Sequence, residues 1–264
     1  MLPPLRPERA TAKRLAGRFT VITYDRRGRG ESGDNQPYAP EREIEDLEAL
    51  IDHAGGTTAL YGSSSGAALA LETARRHEDV EKLALYEAPF SEEPLRVSEH
   101  DKYATELAAL LAADRRGNAA RLFLATVGVP APVIALMRLL PMWSKLKALA
   151  PTLAYDEAVL RLARSDLRLP AERWQTLTIP SLCLVGGDSP EWIHEGMRAL
   201  VQALPTAEFR TLQGQPHAVK PTALAPVLEE FFARDGALAN VLDCDAARRA
   251  SITPSSPERT TKAA

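Results

Sequence analysis

Cysteine is almost missing from this chain. Its two cysteines, Cys183 and Cys244, stand in an apolar run and in a polar tail. Two thiols so placed cannot build a disulfide framework, and their usage fits a reducing, cytoplasmic compartment. An excess of charge of one sign is also lacking, with 32 basic residues against 35 acidic ones and a net charge of −3. That balance offers little to a phosphate backbone, so no nucleic-acid partner is expected. No stretch approaches the roughly 18 apolar residues of a membrane span. The opening segment MLPPLRPERATAKRL holds no apolar signal-peptide core. The expectation is a chain that engages no membrane. The patterns H-E-x-x-H and C-x-x-C are absent, so no metal is expected. No internal repeat with the period of a solenoid is visible either.

What is present is apolar material arranged in periods. The 264 residues are 45% hydrophobic, enough for one domain with a sizeable core and room for an insertion. Residues 8–17 read as a helix closed by Gly17, and 19–24 (FTVITY) as a short strand. The strand ends in DRRGRGESG, whose three glycines mark a tight loop. Residues 41–53 place Ile44, Leu47 and Ile51 at helical spacing. A second strand (57–61), an alanine-rich helix (66–77) and a third strand (82–86) follow. Alternation of strand and helix predicts a parallel sheet with helices on both faces. From 91 to 175 every pattern is helical, which reads as an insertion over one edge of the sheet. Strands return at 180–185 and 208–212, with helices at 191–203 and 222–233. Four segments result: core 1–90, helical insertion 91–175, core 176–235, and a polar, disordered tail 236–264.

The chemistry concentrates in LYGSSSGAA. Gly62-Ser63-Ser64-Ser65-Gly66 fits G-x-S-x-G with Ser64 at its centre. A sharp strand-to-helix turn strains the central residue and crowds the positions two before and two after, which must be small. Only Ser64 has glycine at both of those positions. The next backbone N–H, on Ser65, would point from a helix N-terminus to where an oxyanion forms. A serine nucleophile needs a base. His217 stands in a loop between the last strand and the last helix, whereas His53, His77, His100 and His194 read as solvated helix residues. Glycines 28, 30 and 33 formally fit a dinucleotide fingerprint. Asp25 just before them would repel a pyrophosphate, and no helix start follows, so no cofactor is expected.

Together FTVITYDRRGRGESGD (19–34), LYGSSSGAALALE (60–72), LALYEAPF (83–90), LVGGDSPEW (184–192) and GQPHAVKPTALAPVLEEFF (214–232) resemble the α/β-hydrolase family, in the family's order. The resemblance implies an α/β sheet sandwiched by helices with a helical cap at 91–175. It further implies Ser64 as nucleophile, His217 as base and the Ser65 N–H as one oxyanion donor. For the acid it leaves two candidates, Asp188 in the turn after SLCLVGG and Glu87 at the end of LALYE. The implied partner is a small-molecule substrate carrying an ester or similar acyl group; Leu139, Leu140, Met142 and Trp143 of the cap suggest an apolar pocket wall, though such residues are more often ordinary core. Oligomeric state is not readable. The resemblance also implies that strands and an oxyanion loop normally preceding FTVITYD are missing. The expectation is then an N-terminally truncated chain, or one whose start is misplaced, with a gap in its sheet between FTVITYD and TTALY. A non-catalytic relic or a binding module built on the cap cleft is the alternative function.

Overall fold

The computed structural model describes residues 7–91, 93–163, 171–234, 238–244 and 251–253. The first core segment holds α1 (Pro7–Leu15), β1 (Thr20–Thr23), α2 (Pro40–Ala54), β2 (Thr58–Ser63), α3 (Ser65–Ala74) and β3 (Val80–Tyr86). The helical insertion comprises α4 (Pro94–Ala112), α5 (Arg116–Thr126), α6 (Ala131–Met137), α7 (Met142–Leu149), a 3-10 turn (Ala150–Thr152), α8 (Leu153–Ala163) and α9 (Ala171–Trp174). The core resumes with β4 (Ser181–Gly186), α10 (Glu191–Ala203), β5 (Ala207–Leu212) and α11 (Pro221–Phe232), then β6 (Asn240–Asp243) and β7 (Ser251–Thr253).

Local chemistry accounts for several boundaries. Proline opens α2, α4 and α11, where its missing N–H has no intrahelical partner to lose. Glu41 and Glu43 lie in the first turn of α2 and complement the helix dipole. Lys82 sends its ammonium from β3 to the last carbonyls of α11, at 3.3 Å from both Phe231 O and Phe232 O and in contact with Arg234 O. A cation at that helix end opposes the negative pole of the dipole.

The strands form one sheet in the order β5-β4-β3-β2-β6-β1-β7. β1 to β6 run parallel, and β7 pairs antiparallel with the outer side of β1. Both faces are covered. On one side Leu47, Leu69, Leu71, Leu160, Leu200 and Leu85 share a cluster. On the other, Leu15, Phe19, Tyr86, Leu228 and Phe232 do. The insertion has its own small cores, in which Trp143 packs with Ala120, Leu124 and Ile134.

Two expectations are corrected. Residues from 236 onward were expected to be a disordered polar tail, yet Asn240–Asp243 is a fully buried strand of the sheet and Ser251–Thr253 adds a short strand beside β1. The remainder of that tail lies outside the described residues. The expected gap between β1 and β2 is therefore filled. Asn240 pairs with Thr20 on one side and Thr58 on the other, and the register continues to Asp243 against Thr23 and Tyr61. The physical reason is that two facing strand edges hold unpaired N–H and C=O groups, which demand a partner. Four residues, NVLD, suffice to supply it, and tail-wide composition hides them. His194 is a smaller correction: it is buried on α10 rather than solvated.

Candidate active site

β2 delivers Ser64 at its carboxyl end, and α3 starts on the next residue. Ser64 sits at φ 53°, ψ −124°, in the left-handed half of backbone space that a non-glycine residue rarely enters. A methyl at Gly62 would stand 2.2 Å from the Gly66 carbonyl oxygen, so the turn closes only with glycine there. The Ser64 N–H is tied to the Tyr86 carbonyl at 2.9 Å, which fixes the elbow to the neighbouring strand. Ser65 opens α3, whose first N–H groups have no intrahelical acceptor.

Glu87 follows β3 at the same level and is strained in the same way, at φ 48°. Its side chain is fully buried, and three donors reach it. Oε1 accepts from the Gly186 N–H at 2.7 Å and from the Ser189 hydroxyl at 2.6 Å. Oε2 lies 2.6 Å from Nδ1 of His217. Burial by itself would raise the Glu87 carboxyl. The bonds from His217, Ser189 and Gly186, with the charge of His217, outweigh it and hold the group below its ordinary value.

His217 rides the loop between β5 and α11, and 44% of its side chain is exposed. With Nδ1 engaged by Glu87, its Nε2 faces away from the acid. The loop is pinned at several points: Tyr86 donates its hydroxyl to Pro216 O at 2.7 Å, Gln215 accepts from the Lys220 N–H at 3.1 Å, and Asp188 donates its N–H to Gln215 O at 3.0 Å. Tyr86 thus binds the elbow through its carbonyl and the histidine loop through its hydroxyl. Ser64 and Glu87 follow the paired ends of β2 and β3, where Ser63 lies opposite Tyr86, and His217 is joined to Glu87.

Asp188, the other candidate acid, is exposed, and it is Glu87 that holds His217. Ser189 and Gly186 of the same turn donate to Glu87, so that turn holds the carboxylate that follows β3. Cys183 is no competing nucleophile, since burial pushes its thiol up to about 12.

Beneath the elbow lies a charged network that the sequence did not reveal. Arg26 is buried and pairs through two nitrogens with Glu43, at 2.5 and 2.9 Å. Its third nitrogen donates to Ser65 Oγ and to Asp156 Oδ1, both at 3.0 Å. Ser65 Oγ donates to the same Asp156 oxygen at 2.7 Å, and Arg29 holds the other at 2.6 Å. Burial would raise the Asp156 carboxyl, but Arg29 and Arg26 more than reverse that and lower it. Asp156 belongs to α8, so the insertion is clamped onto the residue next to Ser64. The one sequence signal was the DRRGRG loop itself. Asp25, at the start of that loop, accepts from the Glu31 N–H at 3.0 Å, and Gly30 (φ +57°) packs so close to its carboxylate that no Cβ would fit.

Leu139 and Leu140 are 81% and 40% exposed, and Trp143 is inside the insertion's own core. The residue after β6, Cys244, has its N–H bonded to Tyr61 O at 2.9 Å and so does not point at Ser64 as a second oxyanion donor.

A parallel sheet carrying a strained serine elbow and a buried acid–histidine pair invites comparison with known proteins. The model of the Alpha/beta hydrolase family matches residues 3–230. The chain belongs to the α/β-hydrolase family. An α/β hydrolase from Sphaerobacter thermophilus DSM 20745 is 45% identical over 85% of this chain and 86% of that one, with a TM-score of 0.73. Two more distant structures share the fold. MGS-M2, an α/β hydrolase from a deep-sea metagenome library, is 17% identical over 83% of this chain and 79% of its own, with a TM-score of 0.55. A thermophilic esterase from Thermogutta terrifontis is 21% identical over 78% and 75%, with a TM-score of 0.53. Membership of this family supports a hydrolase.

Proposed function

We propose that the protein is a serine hydrolase cleaving an ester or similar small acyl substrate, with Ser64 as nucleophile, His217 as general base and Glu87 as the acid that orients it. The observation that carries the reading is the 2.6 Å bond between Glu87 and His217 Nδ1, made across 130 residues at the strand edge that ends in Ser64.

Ser64 Oγ attacks the acyl carbon while Nε2 of His217 takes its proton. Charge develops on the former carbonyl oxygen and is met by the Ser65 N–H at the N-terminus of α3. The tetrahedral species collapses, and the alcohol leaves with the proton from His217. Water then attacks the acyl-Ser64 ester. His217 takes one of its protons and returns it to Ser64 Oγ as the carboxylic acid departs. Throughout, the buried Glu87 carboxylate holds the imidazole by Nδ1 and stabilises its charged form. No metal or cofactor enters these steps.

A second reading, a binding module using the cleft under the insertion, is favoured by the commitment of the Cys244 N–H to the sheet. Loss of one oxyanion donor costs on the order of 10²–10³ in rate. A fluorophosphonate probe separates the two readings. Labelling of the wild type that vanishes in Ser64→Ala and persists in Ser63→Ala and Ser65→Ala is the expected result. A folded wild-type chain that never labels would leave only the binding module.

A further inference from the structure

We infer that the outer face of the helical insertion, formed by the end of α5, α6 and α7, docks on the surface of an anionic lipid bilayer.

The apolar part of the argument is one of concentration. Among the described residues, seven large apolar side chains are exposed, and six of them fall between residues 127 and 149: Val127, Val133, Leu136, Leu139, Leu140 and Leu149. Leu139 is 81% exposed, an extreme value for a leucine that serves only its own fold. Helix α6 shows the division clearly. Ile134 and Met137 face the insertion's core beside Trp143, while Val133 and Leu136, three residues apart, face out. The helix is apolar on both sides, and one of those sides has no partner.

The charge part is independent. From Arg115 to Tyr155 the chain carries six cations, Arg115, Arg116, Arg121, Arg138, Lys145 and Lys147, and no acidic residue at all. All six are exposed. The whole chain carries −3 and this stretch +6, so the rest of the molecule carries −9. Arg115, Arg116 and Lys147 also line a hollow of about 490 Å³, with Asp114 at its rim, where Asp114 holds Arg116 at 2.6 Å.

Exposed leucines among cations on a short helical unit are the composition of a surface that lies in the interfacial zone of a bilayer, apolar groups down and cations toward the headgroups. A second copy of this chain fits worse. A symmetric contact through this face would set Arg138, Lys145 and Lys147 against their own copies. No described helix is long and apolar enough to cross a membrane, so the contact is peripheral. The lack of a long apolar run argued against a membrane span, but a peripheral contact needs none.

The test mixes the full chain with sedimenting vesicles of phosphatidylcholine alone or with about 30 mol % phosphatidylglycerol. At low salt the anionic vesicles should retain at least about tenfold more protein, and roughly 0.5 M salt should release most of it. Leu136→Ser with Leu139→Ser should weaken retention about tenfold, as should Arg138→Glu with Lys145→Glu. All four side chains are exposed, so the melting temperature should not move. Leu95→Ser, at an exposed leucine on α4, should bind as the wild type does. Equal retention on both vesicle types, or none on either, overturns the proposal. So does a concentration-dependent dimer that Leu139→Ser abolishes, which would assign the face to a second copy. Release by millimolar inorganic phosphate at constant ionic strength would also overturn it, because the hollow would then be a free-anion site. None of these results depends on Ser64 chemistry.

Discussion

Two residues of the site carry positive φ without being glycine, Ser64 at 53° and Glu87 at 48°. Each costs backbone energy, and each is held by a neighbour: Ser64 through Tyr86, and Glu87 through Gly186, Ser189 and His217. Spacing alone pointed to Ser64, because crowding at ±2 is a local property. It left the acid open. Glu87 directly follows β3 and Asp188 stands two residues past the end of the neighbouring β4, and no local pattern tells which carboxylate turns toward the histidine loop. Ser189 and Gly186, beside Asp188, donate to Glu87 instead. If Glu87 orients His217, Glu87→Gln should lower kcat by about 10²–10⁴ with little change in KM. Asp188→Asn should leave the rate close to wild type. The carboxyl of Glu87 is held below its unfolded value, so it adds stability that is complete above about pH 4.3 and is lost as pH falls through the lower folded pKa. Melting curves of wild type and Glu87→Gln should therefore differ most near neutrality and converge in acid. A constant difference down to low pH would contradict this ionic role.

At the scale of elements, the helical patterns of the insertion were legible where α4, α5 and α8 each bury residues at helical spacing. Its attachment to the core was not. Asp156 is the first acid after the long cationic stretch, and nothing in its spacing reveals that α8 sets it against Arg26, Arg29 and Ser65. Removing it would strand two arginines that Glu43 alone cannot satisfy, with Arg26 buried at 2%. Asp156→Ala should cost about 3 kcal/mol in urea denaturation, as expected when one partner of a buried pair is lost. Asp156→Asn keeps the acceptor for Ser65 and should cost less. Both should reduce kcat more than they raise KM, since the perturbed residue, Ser65, adjoins Ser64. If Asp156→Ala unfolds at the wild-type midpoint, the clamp contributes nothing.

At the scale of the whole molecule, β2 to β5 are neighbours in sequence as well as in the sheet, whereas β6 is not next in sequence to either strand it separates, β1 and β2. The parallel sheet followed from the alternation of strands with helices. The slot between β1 and β2 did not, because a four-residue strand in a polar segment has no period to detect. Yet that strand is among the most constrained elements here. Val241 packs with Phe19 and Phe232 on one face, and Leu242 with Ile22 and Leu60 on the other. Its backbone bonds on both sides. A central strand cannot accept proline, which removes a ladder donor and misfits the pleat. Val241→Pro should thus destabilise by about 3 kcal/mol or more. Leu242→Ala, which leaves the ladder intact and empties a core site, should cost about 2–5 kcal/mol. If β6 closes the sheet, the amides of Val241 and Leu242 should exchange with solvent only through global unfolding, in step with those of Leu60 on β2. Fast exchange at Val241 and Leu242 while Leu60 stays protected would mean the slot opens by itself. β1 and β2 would then carry open edges in solution, and Val241→Pro would melt with the wild type.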